Sequence, residues 1–294
     1  MILCCLFFLK KPHIIYMKNI KKIKLNFKYD FSYLLKPLMI LSFLSVIAYG
    51  AKLLGAAQAD KVFFVITLLV ITPIVLNHIK NPNYKLSFML ILFIMIILYL
   101  YIYDDLLVFL VKKCRNNGIT FGVLNSIFNT VGLTDFENLI YHTSYGGAKL
   151  IHGEIFTGAV DIFKAKPNSN EASMYLAGRF FSLFSALGIA FSVKKHKITI
   201  LFITAFTFLS GNFTVFLMTL LLIFTPYYFI FLLFNFISYF IANVVMIKGG
   251  FAVNSSVFEL FVYCDNRVYI LAVGIFLCAV SYYISRLAKE KLKW

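Results

Sequence analysis

Residues 198–247 decide the fold class, and they read ITILFITAFTFLSGNFTVFLMTLLLIFTPYYFIFLLFNFISYFIANVVMI. None of these 50 residues is charged. A helix needs about 20 apolar residues to cross a bilayer, so this run is too long for a single membrane span. It contains two breaks, at Ser210-Gly211-Asn212 and at Thr225-Pro226. Two spans would use only the second break, whereas three would use both.

The composition of the whole chain agrees with a membrane protein. Of its 294 residues, 61% are hydrophobic and 14% are charged, and the mean hydropathy is +0.87. A soluble domain is about 45–50% apolar and about 25% charged, so a soluble globular fold and a disordered chain are both excluded. The net charge is +16. Its lysines and arginines form short clusters between apolar runs, which is typical of a polytopic membrane protein and not of a nucleic-acid-binding protein.

Charge distribution predicts the topology. Outside the long run, five further apolar segments have spanning length: residues 34–54, 62–79, 86–103, 173–193 and 268–285. Five lysines between residues 18 and 28 place the N-terminus in the cytoplasm by the positive-inside rule. Three spans in residues 198–247 return the basic C-terminal tail to the same side. We therefore predict an all-α polytopic protein with eight membrane segments, and seven is the alternative.

This topology divides the chain into three parts. Residues 1–33 form a cytoplasmic tail, in which Met17 resembles a natural start and residues 1–16 a mis-called extension or dispensable tail. Residues 34–285 form one membrane domain with a long extracytoplasmic loop, 104–172, and residues 286–294 form a cytoplasmic tail. In the long run, residues 198–209 and 213–224 are short enough for a re-entrant hairpin. Cys114 and Cys264 face the oxidising side, where a disulfide and two free thiols are both compatible with the spacing.

Arg179 is the main candidate for a functional residue. It lies about seven residues into the fourth predicted span, or about 10 Å below the outer end of that span. A charge at this depth is costly and usually faces a cavity or a partner. Glu171, Tyr175 and Arg179 are spaced to share one helical face. The guanidinium would suit a phosphate or pyrophosphate. The alternative is a structural arginine that snorkels outward or pairs with Glu171.

The loop before this span supplies further polar candidates. Asn168 with Glu171 three residues later resembles a capping box, which would aim both at the outer aqueous pocket. His152-Gly153-Glu154 has the composition of an acid/base pair, although solvated loop charges have the same pattern. A short helix is predicted from Thr134-Asp135 to Tyr141. The chain has no CxxC pair, no metal-ligand spacing and no phosphate-binding loop, so no metal and no cofactor are expected.

Two segments resemble a known family. The first is Pro167-Asn168-Ser169-Asn170-Glu171-Ala172, with Leu176 and Leu183 behind it. The second follows the basic turn 194–197 and reads Leu209-Ser210-Gly211-Asn212-Phe213-Thr214. Their order is similar to O-antigen and polysaccharide polymerases of the Wzy type and the O-antigen ligase superfamily, over Gly153 to Phe224. In this chain Asn212 or Phe213 replaces an arginine expected in the second turn. In the loop before Pro167, Lys149 and His152 are present where a second arginine is expected.

The resemblance implies an activity. It is metal-independent glycosyl transfer that polymerises undecaprenyl-pyrophosphate-linked repeat units of O-antigen or capsule, at the periplasmic face of the bacterial inner membrane. The implied partners are these lipid-linked glycans, membrane lipids and a chain-length regulator protein, with no nucleic acid and no cofactor. Arg179 would bind the donor pyrophosphate and stabilise its developing charge. Glu171, or in second place Glu154, would be the general base.

The remaining candidates would bind or steer the substrate. Asn168, Asn170 and Asn212 would hydrogen-bond sugar or phosphate, Tyr175 and His152 would line the site, and Lys149, Lys164 and Lys166 would attract an anion. Two rival functions stay open. One is a transporter or flippase for a lipid-linked or anionic solute, which the helix breaks at Gly211 and Pro226 favour. The other is a non-catalytic membrane assembly protein in which Arg179 is a packing charge.

Overall fold

The computed structural model describes residues 32–54, 59–79, 85–86, 89–90, 105, 107–115, 117–130, 135–167, 169, 172–247, 249–264 and 266–292. The predicted N-terminal tail and most of the third predicted span, 86–103, lie outside these residues. The described part of the chain is mostly helical. The helices are α1 Leu35–Leu53, α2 Ala59–His78, α3 Gly118–Thr130, α4 Asp135–His142, α5 Ala159–Ala165, α6 Gly178–Ser192, α7 Lys197–Ser210, α8 Thr214–Ile223, α9 Thr225–Val244, α10 Val257–Tyr263 and α11 Arg267–Leu292.

Four helices in the described part of the chain are long and apolar enough to cross a membrane. They are Leu35–Leu53, Met174–Ser192, Thr225–Val244 and Arg267–Lys291. Each coincides with a span that was predicted from the sequence. The uncharged run 198–247 divides into α7, α8 and α9 at both predicted breaks, so its division into three helices is confirmed. The total of eight or seven spans stays a prediction.

Helix α6 lies antiparallel to α9. Near one end of the contact, the Asn243 side-chain amide donates to the Met174 carbonyl over 3.3 Å. Further along, Ser182 Oγ donates to Asn235 Oδ1 over 2.5 Å. These asparagines lie inside an apolar helix, where a polar group without a partner costs several kcal/mol in hydrocarbon. Their hydrogen bonds therefore set the register between the two helices.

Helix α3 also runs antiparallel to α9, in the middle of the bundle. Asn235 Nδ2 donates to the Gly122 carbonyl over 2.6 Å, and the Thr130 and Tyr228 hydroxyls are 3.1 Å apart. Thirteen residues make α3 about 20 Å long, which is most of the length of α9. The sequence assigned this segment to the water-facing loop 104–172, and the structure buries one face of it in the bundle. Hydropathy misses α3 because its buried face is polar.

Helix α4 turns back along α3 and completes a helical pair. The Phe136 ring stacks on Phe128 at 4.9 Å and on Phe121 at 5.7 Å between ring centroids. The short helix predicted from Thr134-Asp135 is confirmed as α4, Asp135–His142. This α3–α4 pair enters the bundle from the end at which α9 finishes, since Gly118 lies against Asn243.

Helices α7 and α8 form a second pair that enters from the opposite end. They contain 14 and 10 residues, or about 21 and 15 Å, and are shorter than the roughly 30 Å of a hydrocarbon core. They are therefore as short as predicted. Gly211 joins them in the left-handed conformation, with φ of +68°. Residues 214–221 of α8 are all buried.

Small residues allow the closest helix contacts. A Cβ atom on Gly122 or Gly178 would lie 2.2 or 2.7 Å from the Tyr239 ring, so this ring fits between α3 and α6 only because both positions are glycine. Gly188 makes a similar contact between α6 and α11, where a Cβ would lie 2.1 Å from the Cys278 carbonyl. These contacts hold the bundle at separations that larger residues would prevent.

A small substructure that hydropathy does not predict follows α4. Strands β1 Ala148–Ile151 and β2 Glu154–Thr157 pair antiparallel, with Ile151 opposite Glu154. The hairpin closes where the Gly158 amide donates to the Gly147 carbonyl over 3.0 Å. A Cβ on Gly158 would lie 2.3 Å from the Tyr141 carbonyl, so the base of the hairpin packs directly on the backbone of α4.

Candidate functional site

The two helical pairs meet at a buried ion pair. Arg179 Nη1 on α6 lies 2.8 Å from Glu137 Oε2 on α4, and each side chain is 5% exposed. A charge buried to this degree is retained only when it is paired and hydrogen-bonded. The sequence predicted the depth of Arg179, but it did not identify Glu137 as the partner.

The rest of the Arg179 guanidinium contacts the α7–α8 turn and the segment before α10. Its Nε donates to Ser255 Oγ over 3.3 Å, and its Nη2 donates to the Gly211 carbonyl over 3.4 Å. The guanidinium carbon lies 5.0 Å from the centroid of the Phe213 ring, a cation–π contact. Arg179 therefore connects α6 to α4, to the α7–α8 turn and to the segment before α10.

Two asparagines on α3 also bind the Glu137 carboxylate. Asn125 Nδ2 and Asn129 Nδ2 both donate to Oε2, over 3.1 and 3.2 Å. Asn129 Nδ2 also donates to Asn125 Oδ1 over 3.0 Å, as expected for residues one helical turn apart. Glu137 Oε2 is therefore bound by Arg179 and by both asparagines, so three side chains fix its position.

Local backbone features aim Arg179 at this position. Residues Ala172–Ala177 form a π-helical segment that leads directly into α6. A π segment widens the helix by one residue per turn and is frequent at functional sites. At the other side of the guanidinium, a Cβ on Gly211 would lie 2.8 Å from the Ser255 carbonyl carbon. Glycine is required there both for this approach and for its positive φ.

A second buried carboxylate fixes the segment that carries Ser255. The backbone amides of Ala252, Val253 and Asn254 all donate to Glu259, which is 3% exposed. Such a concave run of amides is an anion-binding nest, and here the chain supplies its own anion. The Tyr49 hydroxyl on α1 donates to the same carboxylate over 3.1 Å. Glu259 therefore anchors the site to α1.

Glu137 already neutralises the charge of Arg179, so an anion could bind the guanidinium only in exchange for this carboxylate. In a low-dielectric bundle a guanidinium attracts phosphate oxygens more strongly than it does in water. An incoming anion would compete with Glu137 for Arg179 and release the carboxylate. Two buried polar atoms near the pair, Asn129 Oδ1 and Thr214 Oγ1, have no hydrogen-bond partner within the described residues. Each of these atoms can form a hydrogen bond with a polar ligand or a water molecule.

The other predicted residues of the bundle have structural contacts. Asn212 is buried in the α7–α8 turn, and its Oδ1 accepts from the Thr214 amide over 2.9 Å, which forms an Asx turn just before α8. The Tyr175 hydroxyl donates to the Cys114 carbonyl over 3.4 Å, and its ring packs edge-on against Phe121. The predictions for Glu171, Asn168 and Asn170 fall outside the described residues.

The predicted acid/base residues of the loop lie on the hairpin. His152 and Gly153 form its two-residue turn, with φ of +52° and +88°, and Glu154 begins β2. His152 and Glu154 are exposed, and Lys149 on β1 is half-buried. The structure therefore separates these three side chains from the buried pair.

Glu137 and Glu259 are the two residues that sequence reasoning missed. In the sequence Glu137 has the pattern of a solvated loop charge, and nothing singles out Glu259. A signal for Glu137 was present twelve residues earlier, because Asn125 and Asn129 place two amides on one face of a helix that is otherwise largely apolar. Within the described residues, no group of three or more His, Cys, Asp or Glu side chains is arranged to hold a metal ion.

Cys114 and Cys264 are both buried and are not joined in a disulfide, although their predicted location on one side of the membrane would allow one. Burial raises the pKa of the Cys114 thiol to about 11. Comparison of the chain with protein-family models gives no match, and comparison with curated proteins gives none either.

Proposed function

We propose that this protein polymerises undecaprenyl-pyrophosphate-linked oligosaccharide units at the periplasmic face of a bacterial inner membrane. The observation that carries the proposal is the contact between Arg179 and the Gly211 carbonyl. It joins the two sequence segments that resemble polysaccharide polymerases, although a complete helix and a basic turn separate them along the chain. A shared site is the simplest physical reason for both segments to be present.

Arg179 and Glu137 divide the chemistry between them. The pyrophosphate of the donor displaces Glu137 from the guanidinium, which then holds the negative charge of the leaving group. The released carboxylate accepts the proton of the acceptor sugar hydroxyl. The acceptor oxygen bonds to the anomeric carbon as the bond from that carbon to the pyrophosphate oxygen breaks. Glu137 thus takes the role of general base that the sequence had assigned to Glu171.

The test is the polysaccharide ladder of the native host after deletion of the gene. We expect deletion to leave single repeat units, and Arg179→Lys or Glu137→Gln to fail to restore the ladder at equal protein level. Glu154→Gln, an exposed carboxylate on the hairpin, is the matched control and should restore it. An unchanged ladder after deletion would overturn the proposal.

Loss of folding would mimic loss of activity, so a charge-neutral double variant is also needed. Arg179→Met with Glu137→Leu removes both charges together, which is often neutral or stabilising for a buried pair. The proposed mechanism expects a folded protein that makes no ladder. If the double variant restores the ladder, the pair is a packing device, as in a non-catalytic assembly protein.

A transporter or flippase is the second candidate, and one observation favours it. The α3–α4 and α7–α8 pairs enter the bundle from opposite ends and meet at Arg179. Broken or re-entrant helices that meet at a buried charge are typical of transporters. The same deletion separates the two functions, because loss of a flippase removes even the single repeat unit from the outer product, whereas loss of a polymerase leaves it.

A further inference from the structure

A cavity lies at the end of α6 opposite Arg179, where α6 finishes and α7 and α11 pass close to it. Its volume is about 350 Å³. Its described lining includes the charged residues Lys194, Lys197, Arg286, Lys289 and Glu290, with Phe191 beside them. Arg179 is the second residue of α6 and Ser192 is the last, so about 20 Å of helix separates this cavity from the buried ion pair.

The charge of the cavity is strongly positive. Four cationic side chains line it against one carboxylate among the described residues, which is a net charge of +3. Glu290 is already engaged, because its Oε1 lies 3.2 Å from Arg286 Nε one helical turn away. The lysine charges come from two separate parts of the chain, the basic turn 194–197 and α11, and α7 adds the positive end of its dipole at Lys197.

The cavity also has the composition of a membrane interface. Phe191 is 44% exposed on the side of α6, and the Tyr282 hydroxyl lies 3.5 Å from Arg286 Nη1. Ser192 ends a candidate membrane span, so the cavity lies where that helix would meet the headgroups of a membrane. Basic pockets between membrane helices at this depth bind phosphate-bearing headgroups.

We infer that this cavity binds a phosphate-bearing anion, with Lys194, Lys197 and Lys289 as its ligands. A glycerophospholipid headgroup and a soluble pyrophosphate share this chemistry. The exposed Phe191 beside the lysines would contact the first acyl carbons of a lipid, and a soluble anion would leave that ring unused. The site is separate from Arg179 and does not depend on the proposed polymerase activity.

Native mass spectrometry of the purified full-length protein tests the inference. The probes are dioleoylphosphatidylglycerol and, as the neutral comparison, dioleoylphosphatidylcholine. The cavity variant is Lys197→Gln with Lys289→Gln. The control is Lys195→Gln with Lys291→Gln, which removes two neighbouring lysines that do not line the cavity. We expect the cavity variant to lose bound phosphatidylglycerol by about tenfold or more, since each lysine contributes about fivefold, and the control to change by less than about twofold.

A second arm separates a lipid from a soluble anion. The apparent melting temperature of each variant is measured with and without sodium pyrophosphate at a matched ionic strength. Stabilisation of the wild type that disappears only in the cavity variant, without selective binding of phosphatidylglycerol, supports the site and identifies a soluble anion as its ligand. Equal lipid binding and equal stabilisation in the cavity and control variants would overturn the inference.

Discussion

Glu137 on α4 and Arg179 on α6 form a 2.8 Å ion pair at the point where two short helical pairs meet inside the bundle. Neither short pair can bury its own polar end alone. The α3–α4 pair brings the carboxylate with its asparagine donors, and the α7–α8 turn brings a carbonyl oxygen. The guanidinium binds both of these acceptors, so Arg179 couples the position of one helical pair to that of the other.

The first prediction concerns the stability of this ion pair. Arg179→Met alone should destabilise the protein by about 3–5 kcal/mol, because it leaves the Glu137 carboxylate buried without its counter-charge. Adding Glu137→Leu should recover most of that loss, since no unpaired charge then remains. Thermal unfolding of the detergent-purified variants measures both effects. A double variant as unstable as the single one would show that the pair itself, and not the unpaired charge, stabilises the fold.

A second prediction concerns the glycines around Tyr239. Gly122→Ala would place a Cβ 2.2 Å from the ring, so α3 must move away from α9 and the free energy of unfolding should fall by about 1–3 kcal/mol. Adding Tyr239→Leu should restore part of it by opening space for the methyl group. Gly50→Ala on α1 is the matched control, because no atom lies within 4 Å of its added Cβ. It should be neutral or stabilising by up to about 1 kcal/mol, and equal losses at positions 50 and 122 would contradict the packing argument.

The carboxylate nest gives a third prediction. Glu259→Gln replaces an ionised acceptor of several backbone amides with a neutral amide, and we expect a loss of about 2–3 kcal/mol. Tyr49→Phe removes a single donor to the same group and should cost about 1 kcal/mol. Apparent melting temperatures should therefore rank wild type above Tyr49→Phe and Tyr49→Phe above Glu259→Gln. Glu154→Gln on the exposed hairpin serves as the control and should leave the melting temperature unchanged.

A fourth prediction concerns the reactivity of the buried cysteines. Because burial raises the pKa of Cys114 to about 11, only about one thiol in a thousand is ionised at pH 8. A maleimide should therefore not modify Cys114 in the folded protein, and burial should protect Cys264 from the reagent as well. Both should react after denaturation without a reductant. Glu154→Cys on the hairpin is the positive control and should react in the folded state. Modification of Cys114 and Cys264 only after reduction would show that the two cysteines are joined in a disulfide.

Hydropathy and charge predicted the helices that carry the least polar surface. The spans at α1, α6, α9 and α11 and the division of residues 198–247 were all predictable, because an apolar run of spanning length has few alternatives in a bilayer. Helix α3 was not predictable in this way. Asn125 and Asn129 lower its hydropathy, and they can be buried only because Glu137 accepts their hydrogen bonds.

The sequence by itself determined that the chain is mostly helical, with helices apolar and long enough to cross a membrane, and that Arg179 lies within one of these apolar helices, where a charge needs a partner. Both conclusions follow from local properties, namely run length and the cost of an unpaired charge in hydrocarbon. Only the tertiary structure decided which partner Arg179 has. Glu137, Gly211 and Ser255 come from three distant segments, and their convergence depends on helix packing around glycines and on a backbone nest. Neither property is encoded in the spacing of residues along one helix.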